Sequence, residues 1–201
     1  MNELGLVTVL KDRLSKLIYD IVDEDFTAYD TNYKRYNSVN INWVSSPPER
    51  IRVIDTDGHE EVIAQADYTV NLAGGYITFS TAKDNTDIIR GDYSFFPFTD
   101  AQLLVIVQGA RKQMQVSLFR TVNASDIPEN YQEAILKRCY TIALREMQFP
   151  TTKYFTISVG GRSISKENQL VMINAMIESN EKDLLQDVNV IRYFDKTNTL
   201  T

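Results

Sequence analysis

One cysteine and one histidine in 201 residues remove most metal and nucleophile chemistry before any pattern is sought. Structural zinc clusters take four Cys or His ligands and catalytic ones usually three with a water, more than Cys139 and His59 can supply. A lone cysteine closes no internal disulfide, and Cys139 falls on an apolar helical face where it reads as a small buried hydrophobe. Positive charge is scarce as well. With 21 Lys and Arg against 27 Asp and Glu, the net charge of −6 argues against a protein that reads nucleic-acid sequence through a basic face. It leaves room for DNA that passes by without sticking. No apolar run approaches the roughly 20 residues that span a bilayer. Met1-Asn2-Glu3 opens without a basic, apolar leader, so the chain is expected in the cytosol with no membrane partner. No repeat of fixed period and no low-complexity run is present. The remainder is ordinary for a globular chain, 43% hydrophobic and 24% charged, with material for one large core or a core and a smaller one.

The clearest element predicted is a helix over residues 125–149. Pro128 suits its first turn, Ser125 or Asp126 can cap it, and Pro150 ends it. Tyr131, Ala134, Ile135, Cys139, Ile142, Ala143 and Met147 recur at three- and four-residue steps and share a face. Glu133 stands four residues before Lys137, the favourable order for a helical ion pair. A second helix from Thr99 or Asp100 to about residue 119 carries Leu103, Val107, Ala110, Met114 and Leu118 on one stripe, and a short link pairs it with the first as a helical hairpin. Leu10, Leu14, Leu17, Ile18 and Ile21 predict a helix over 3–22 capped by Asn2, with Asp20, Asp23, Glu24 and Asp25 assigned to the connection that follows. A last helix is predicted over 166–188, and beyond it Val190, Ile191, Arg192, Tyr193 and Phe194 read as an apolar arm seeking a partner, with strand addition as one mode.

Between residues 37 and 98 the period changes to two. Asp57-Gly58 predicts a hairpin that sets Val53 opposite Val62 and Ile51 opposite Ala64. Gly74-Gly75 predicts another, with Val70 opposite Phe79 and Leu72 opposite Ile77, and Gly91-Asp92 a third. A further hairpin around Gly160-Gly161 puts Phe155, Ile157, Val159 and Ile164 on one face, and being marginal alone it must dock on its own domain or a neighbour. The expected fold is therefore α+β: about four helices, formed by 1–36 and 99–201, with an inserted antiparallel β module over 37–98, a small sandwich or barrel, and a short hairpin before the last helix.

Chemistry is sought without success. His59 follows a turn, where a solvated strand residue is the simpler reading than a catalytic base. Gly160-Gly161-Arg162-Ser163 lacks the spaced glycines and the Lys-Ser/Thr ending of a phosphate loop. Asp20, Asp23, Glu24 and Asp25 lack calcium-loop spacing. No catalytic, cofactor or metal site is expected, and the chain is not expected to be an enzyme. Trp43, Tyr68, Tyr76, Phe79, Tyr93, Phe95, Phe96 and Phe98 could stack sugars, but a small β core uses the same residues.

The two paired helices, the hairpin Tyr154–Ile164, the last helix and the apolar arm together resemble the head-to-tail adaptor (connector) proteins of tailed bacteriophages. Asp67-Tyr68-Thr69-Val70-Asn71, Gly75-Tyr76-Ile77-Thr78-Phe79 and Gly91-Asp92-Tyr93-Ser94-Phe95 are similar to β modules of phage structural proteins. The resemblance implies a virion protein of the neck, assembled in the host cytoplasm as a homo-oligomeric ring, often a dodecamer, seated under the portal protein with DNA running through it. It implies further that Val190, Ile191, Arg192, Tyr193 and Phe194 meet the portal or a neighbour. Phe155, Ile157, Val159, Gly160, Gly161, Arg162 and Ile164 would meet the ring neighbour or the next neck or tail component. The alternative reading is a carbohydrate- or receptor-binding module of the same kind of particle.

Overall fold

A computed structural model describes residues 1–45, 49–118, 121–147, 155–159, 162–164 and 166–198. The fold is α+β, with four helices and antiparallel sheets. The chain divides into a helical unit, Met1–Lys16, Phe98–Thr151 and Glu167–Thr201, and a β unit, Leu17–Pro97 and Thr152–Lys166. The β unit thus begins at Leu17 rather than at Asn37 and takes in the late hairpin, while its break near residue 98 falls within one residue of the expected one.

The helical unit contains α1 (Glu3–Leu14), α2 (Asp100–Leu118), α3 (Glu129–Met147) and α4 (Lys166–Asn198). Asn2 caps α1 by accepting from the Gly5 N–H at 2.9 Å. Thr99 and Gln102 cap α2 reciprocally: the Thr99 hydroxyl accepts from the Gln102 N–H, and the Gln102 side chain accepts from the Thr99 N–H. Leu6, Leu10, Leu14, Leu103, Val107, Ala110, Ile135, Cys139, Ala143 and Leu144 are fully or almost fully shielded from water. Each large aliphatic side chain so buried contributes roughly 1.5–3 kcal/mol. The α3 stripe read from the sequence is buried except for Ile142, which is half-exposed. The pair expected along α3 does not form. Glu133 instead takes a two-pronged contact from Arg13 of α1, and Lys137 reaches Asp187 of α4 at 2.7 Å. Ties between helices replace the tie along one helix.

Two predicted elements are corrected at the chain's start and finish. The first helix stops at Leu14, and Leu17–Asp25 is a strand, β1. Leu17, Tyr19 and Ile21 are buried while Ile18 and Asp20 are half-buried, so the period there is two. Leu14, Leu17, Ile18 and Ile21 satisfy a helical step as well. The β-branched and aromatic content of Ile18-Tyr19-Asp20-Ile21-Val22 decides for the strand. At the other end, α4 continues through residues 189–198, so the expected arm is helical. Its inner stripe of Ile173, Ile177, Leu184 and Val188 runs on to Ile191, which is 5% exposed.

The β unit has ten further strands: β2 (Thr27–Ala28), β3 (Arg35–Asn37), β4 (Trp43–Val44), β5 (Arg50–Ile54), β6 (Glu60–Val62), β7 (Tyr68–Asn71), β8 (Tyr76–Phe79), β9 (Ile88–Phe95), β10 (Phe155–Val159) and β11 (Arg162–Ile164). A seven-stranded sheet runs β11-β10-β1-β9-β5-β6 with β4 also on β9, and a four-stranded sheet runs β2-β3-β8-β7. All pairings are antiparallel.

Turn geometry moves each expected register. At Gly58, φ is +82°, and the Asp55 N–H donates to the His59 carbonyl, closing a three-residue loop in place of a two-residue turn. Val53 therefore faces Glu61, not Val62, and Val62 is left 51% exposed. A four-residue loop at 72–75 sets Val70 opposite Ile77. Gly75 is required there, because a Cβ would stand 2.1 Å from the Asn40 carbonyl oxygen. Gly91 makes no turn at all. It lies inside β9, where a Cβ would meet the Phe26 ring at 2.2 Å, so glycine here makes room for an aromatic side chain.

Candidate functional site

The late hairpin is built into its own subunit. β10 pairs with β1, Leu17 opposite Val159, Tyr19 opposite Ile157 and Ile21 opposite Phe155. β11 completes the sheet edge, with Ile164 opposite Ile157 and Arg162 opposite Val159. The expectation that this hairpin docks on its own domain or a neighbour resolves to the first. Of its proposed contact residues, Phe155, Ile157 and Val159 are in an interior strand, and Arg162 and Ile164 are in the edge strand. Gly160 and Gly161 lie outside the described residues.

The C-terminal candidates separate by face. Ile191 packs inward. Arg192 donates through Nε and Nη2 to the Ser117 carbonyl oxygen of α2, at 3.0 and 2.5 Å. Val190 and Tyr193 are 53% and 67% exposed, and Phe194 follows in the same helix. A groove of about 300 Å³ takes in Arg192, lined also by Met114 and Ser117 of α2, Arg138 of α3, and Leu184 and Leu185 of α4. Sequence reasoning found the residues of this end but not the groove, which forms only where three helices meet. The one usable signal was the continuation of the step Leu184, Val188, Ile191.

The acidic run expected in a connection belongs to β1, and its carboxylates are engaged. A bulge falls between Ile21 and Glu24, and Asp23 there has a positive φ of 63°, a conformation that aspartate tolerates better than most side chains. Asp23 reaches Arg52 at 3.2 Å and Arg90 at 3.4 Å. Arg52, 11% exposed, also meets Asp92 at 2.5 Å and Glu60 at 3.5 Å, while Arg90 holds Asp25 at 2.6 Å. The pairs cross-link β1, β5, β6 and β9. Glu24 accepts from the Val39 N–H at 2.7 Å and from the Tyr93 hydroxyl. Burial, with that bond next, pushes the Tyr93 phenol well above its usual value.

Asp55, Asp57 and His59 bring one ligand atom each within 4.8 Å of one another, all exposed. Asp55 is occupied as the turn's anchor: it accepts from the His59 and Asp57 N–H groups at 2.8 and 2.9 Å, and the His59 bond leads in lowering its pKa. Cys139 is wholly buried, and burial pushes its thiol up to about 12.

Six of the eight aromatics considered for sugar stacking are buried in the protein; Tyr76 and Phe95 are half-buried. Trp43 stacks on Tyr93 at 4.2 Å between ring centroids, and Tyr76 with Tyr29 sandwiches the Arg35 guanidinium at 3.7 and 4.0 Å. Among the described residues no helix is long and apolar enough to cross a membrane. No protein-family model and no curated protein sequence matches the chain.

Proposed function

We propose that the chain is a structural component of a tailed-phage neck, an adaptor that forms a homo-oligomeric ring on the portal, passes DNA through its centre and receives the next neck or tail component. The observation that carries this reading is the succession α2, α3, β10–β11, α4, the order of elements on which the resemblance rests. α4 adds to it: a helix of 33 residues, anchored between Glu181 and Arg192 by Arg145–Glu181, Lys137–Asp187 and Arg192–Ser117, still displays Val190 and Tyr193 near its end. A helical end changes the manner of contact. The partner receives a helix face laid into an apolar groove rather than an added strand. No reaction is assigned to the chain, and it works by shape and contact.

Electron microscopy of particles carrying a labelled copy of this chain tests the reading. Density from the label at the head–tail junction is the expected result. Label on fibres, on the capsid shell or on no particle rejects it.

A further inference from the structure

We infer that neighbouring copies join edge to edge through the β unit, the β6 edge of one chain pairing with the β11 edge of the next. The inference rests on the ring reading and names the surfaces that would meet within it.

The topology supplies the two surfaces. In the order β11-β10-β1-β9-β5-β6, β11 and β6 are the opposite ends of one sheet, and each is three residues long. Neither has a second strand partner among the described residues. The outward groups of β6 can be read from its bonding. The Ile63 N–H donates to the Ile51 carbonyl, and the Asp55 N–H donates to the His59 carbonyl. The pair between them, Val53 and Glu61, is therefore the hydrogen-bonded one, and the N–H and C=O groups of Glu60 and Val62 point away from the sheet.

Charge selects the partner. β6 reads Glu60-Glu61-Val62, all exposed, in a stretch, 17–97, with fourteen Asp and Glu against six Lys and Arg. The hairpin segment is the reverse. Residues 147–166 contain no Asp or Glu and carry Lys153, Arg162 and Lys166. A β6 edge is repelled by another β6 edge, and a β11 edge by another β11, so only the unlike pairing is favourable. Unlike surfaces on one chain make a head-to-tail contact, the kind that closes into a ring when the rotation allows it. The same charges keep either edge from recruiting unrelated strands.

The test uses the full chain, with association followed by sedimentation velocity across a concentration series at low and high salt. Association that weakens with salt is expected. Glu60→Lys with Glu61→Lys, read only if its circular dichroism and urea midpoint match the parent because Glu60 also meets Arg52, and separately Arg162→Glu with Lys166→Glu, should each weaken it by roughly tenfold or more. Combining all four in one chain should restore it. Each double variant carries two edges of like charge and repels its own copies, whereas a mixture of the two pairs opposite charges at every contact, so association should return in the mixture and in neither variant alone. Val62→Pro removes an outward N–H that no strand among the described residues uses, and should cut association while the circular dichroism of the fold is kept. Association unchanged by both the charge reversals and Val62→Pro overturns the edge pairing and leaves the ring reading standing. A chain that is monomeric at every concentration overturns it too, while label density at the head–tail junction still decides the ring reading separately.

Discussion

In the helical unit the fully buried side chains Leu103, Val107, Ala110, Ile135, Cys139 and Leu144 are apolar and the most shielded ion pair among the described residues, Arg111 with Glu3, joins one base to one acid, whereas the β unit closes over Arg52, which has about a tenth of its side chain exposed and three carboxylates around it. The first arrangement is stabilised by apolar area and tolerates small shifts of one helix on another. The second depends on direction. Asp23, Asp92 and Glu60 come from three strands, so their convergence on one guanidinium is correct in a single register only. A strand that slips by one residue loses the whole set.

Measurements on the two units test this difference. The largest effect is kinetic. The Cys139 thiol, buried and with its pKa pushed up to about 12, should react with a thiol reagent roughly a thousandfold or more slowly in the native protein than in urea. Fast native labelling would mean the helical core opens readily. Next, Leu103→Ala leaves a cavity among fully buried neighbours and should cost about 3 kcal/mol in urea unfolding, with no dependence on salt. Arg52→Met should cost about 2 kcal/mol, because Asp92 and Asp23 keep their desolvation without their partner; the carboxylates' partial exposure holds the figure below that of a sealed pair. Its loss should shrink in high salt, and a salt-independent loss would move Arg52 into the same category as Leu103. Gly91→Ala should cost about 1–2 kcal/mol, since the Phe26 ring must move, and Phe26→Leu in the same chain should recover part of it. The smallest effect concerns Glu133, whose pKa is lowered chiefly by its bonds from Arg13. A depressed carboxylate adds stability above its unfolded value, about 4.3, and loses it as pH falls through the lower folded value. Glu133→Gln should therefore differ from the parent at neutral pH and converge with it in acid, as thermal melts across pH 2–7 would report.

Helices were legible where one periodicity had no rival. Leu103, Val107, Ala110, Met114 and Leu118 fit a helical step and little else, and all five are buried. Leu14, Leu17, Ile18 and Ile21 fit two steps, and the strand won because Tyr19 also needed cover. Turns were located correctly at Gly58 and Gly75, yet their lengths were not, since length depends on the Asp55 and Asn71 side chains bonding to the loop backbone. Gly91 resembles a turn glycine locally, but the ring that requires it sits on Phe26, far away in the chain. Among the candidate contacts, the hairpin strands were visible in the sequence. Their pairing with β1 was not, because nothing local in residues 155–164 names a partner near residue 20.

That pairing has a consequence for synthesis. Ile21 and Phe155 are neighbours in the finished sheet, yet about 130 residues of chain are made between them, which at roughly 5–20 residues per second takes on the order of ten seconds. Throughout that interval β1 lacks one flank, and the outer strand does not yet exist. The last edge of the sheet therefore cannot be offered to a neighbour until synthesis has passed residue 164, so any joining through β11 waits on the late hairpin.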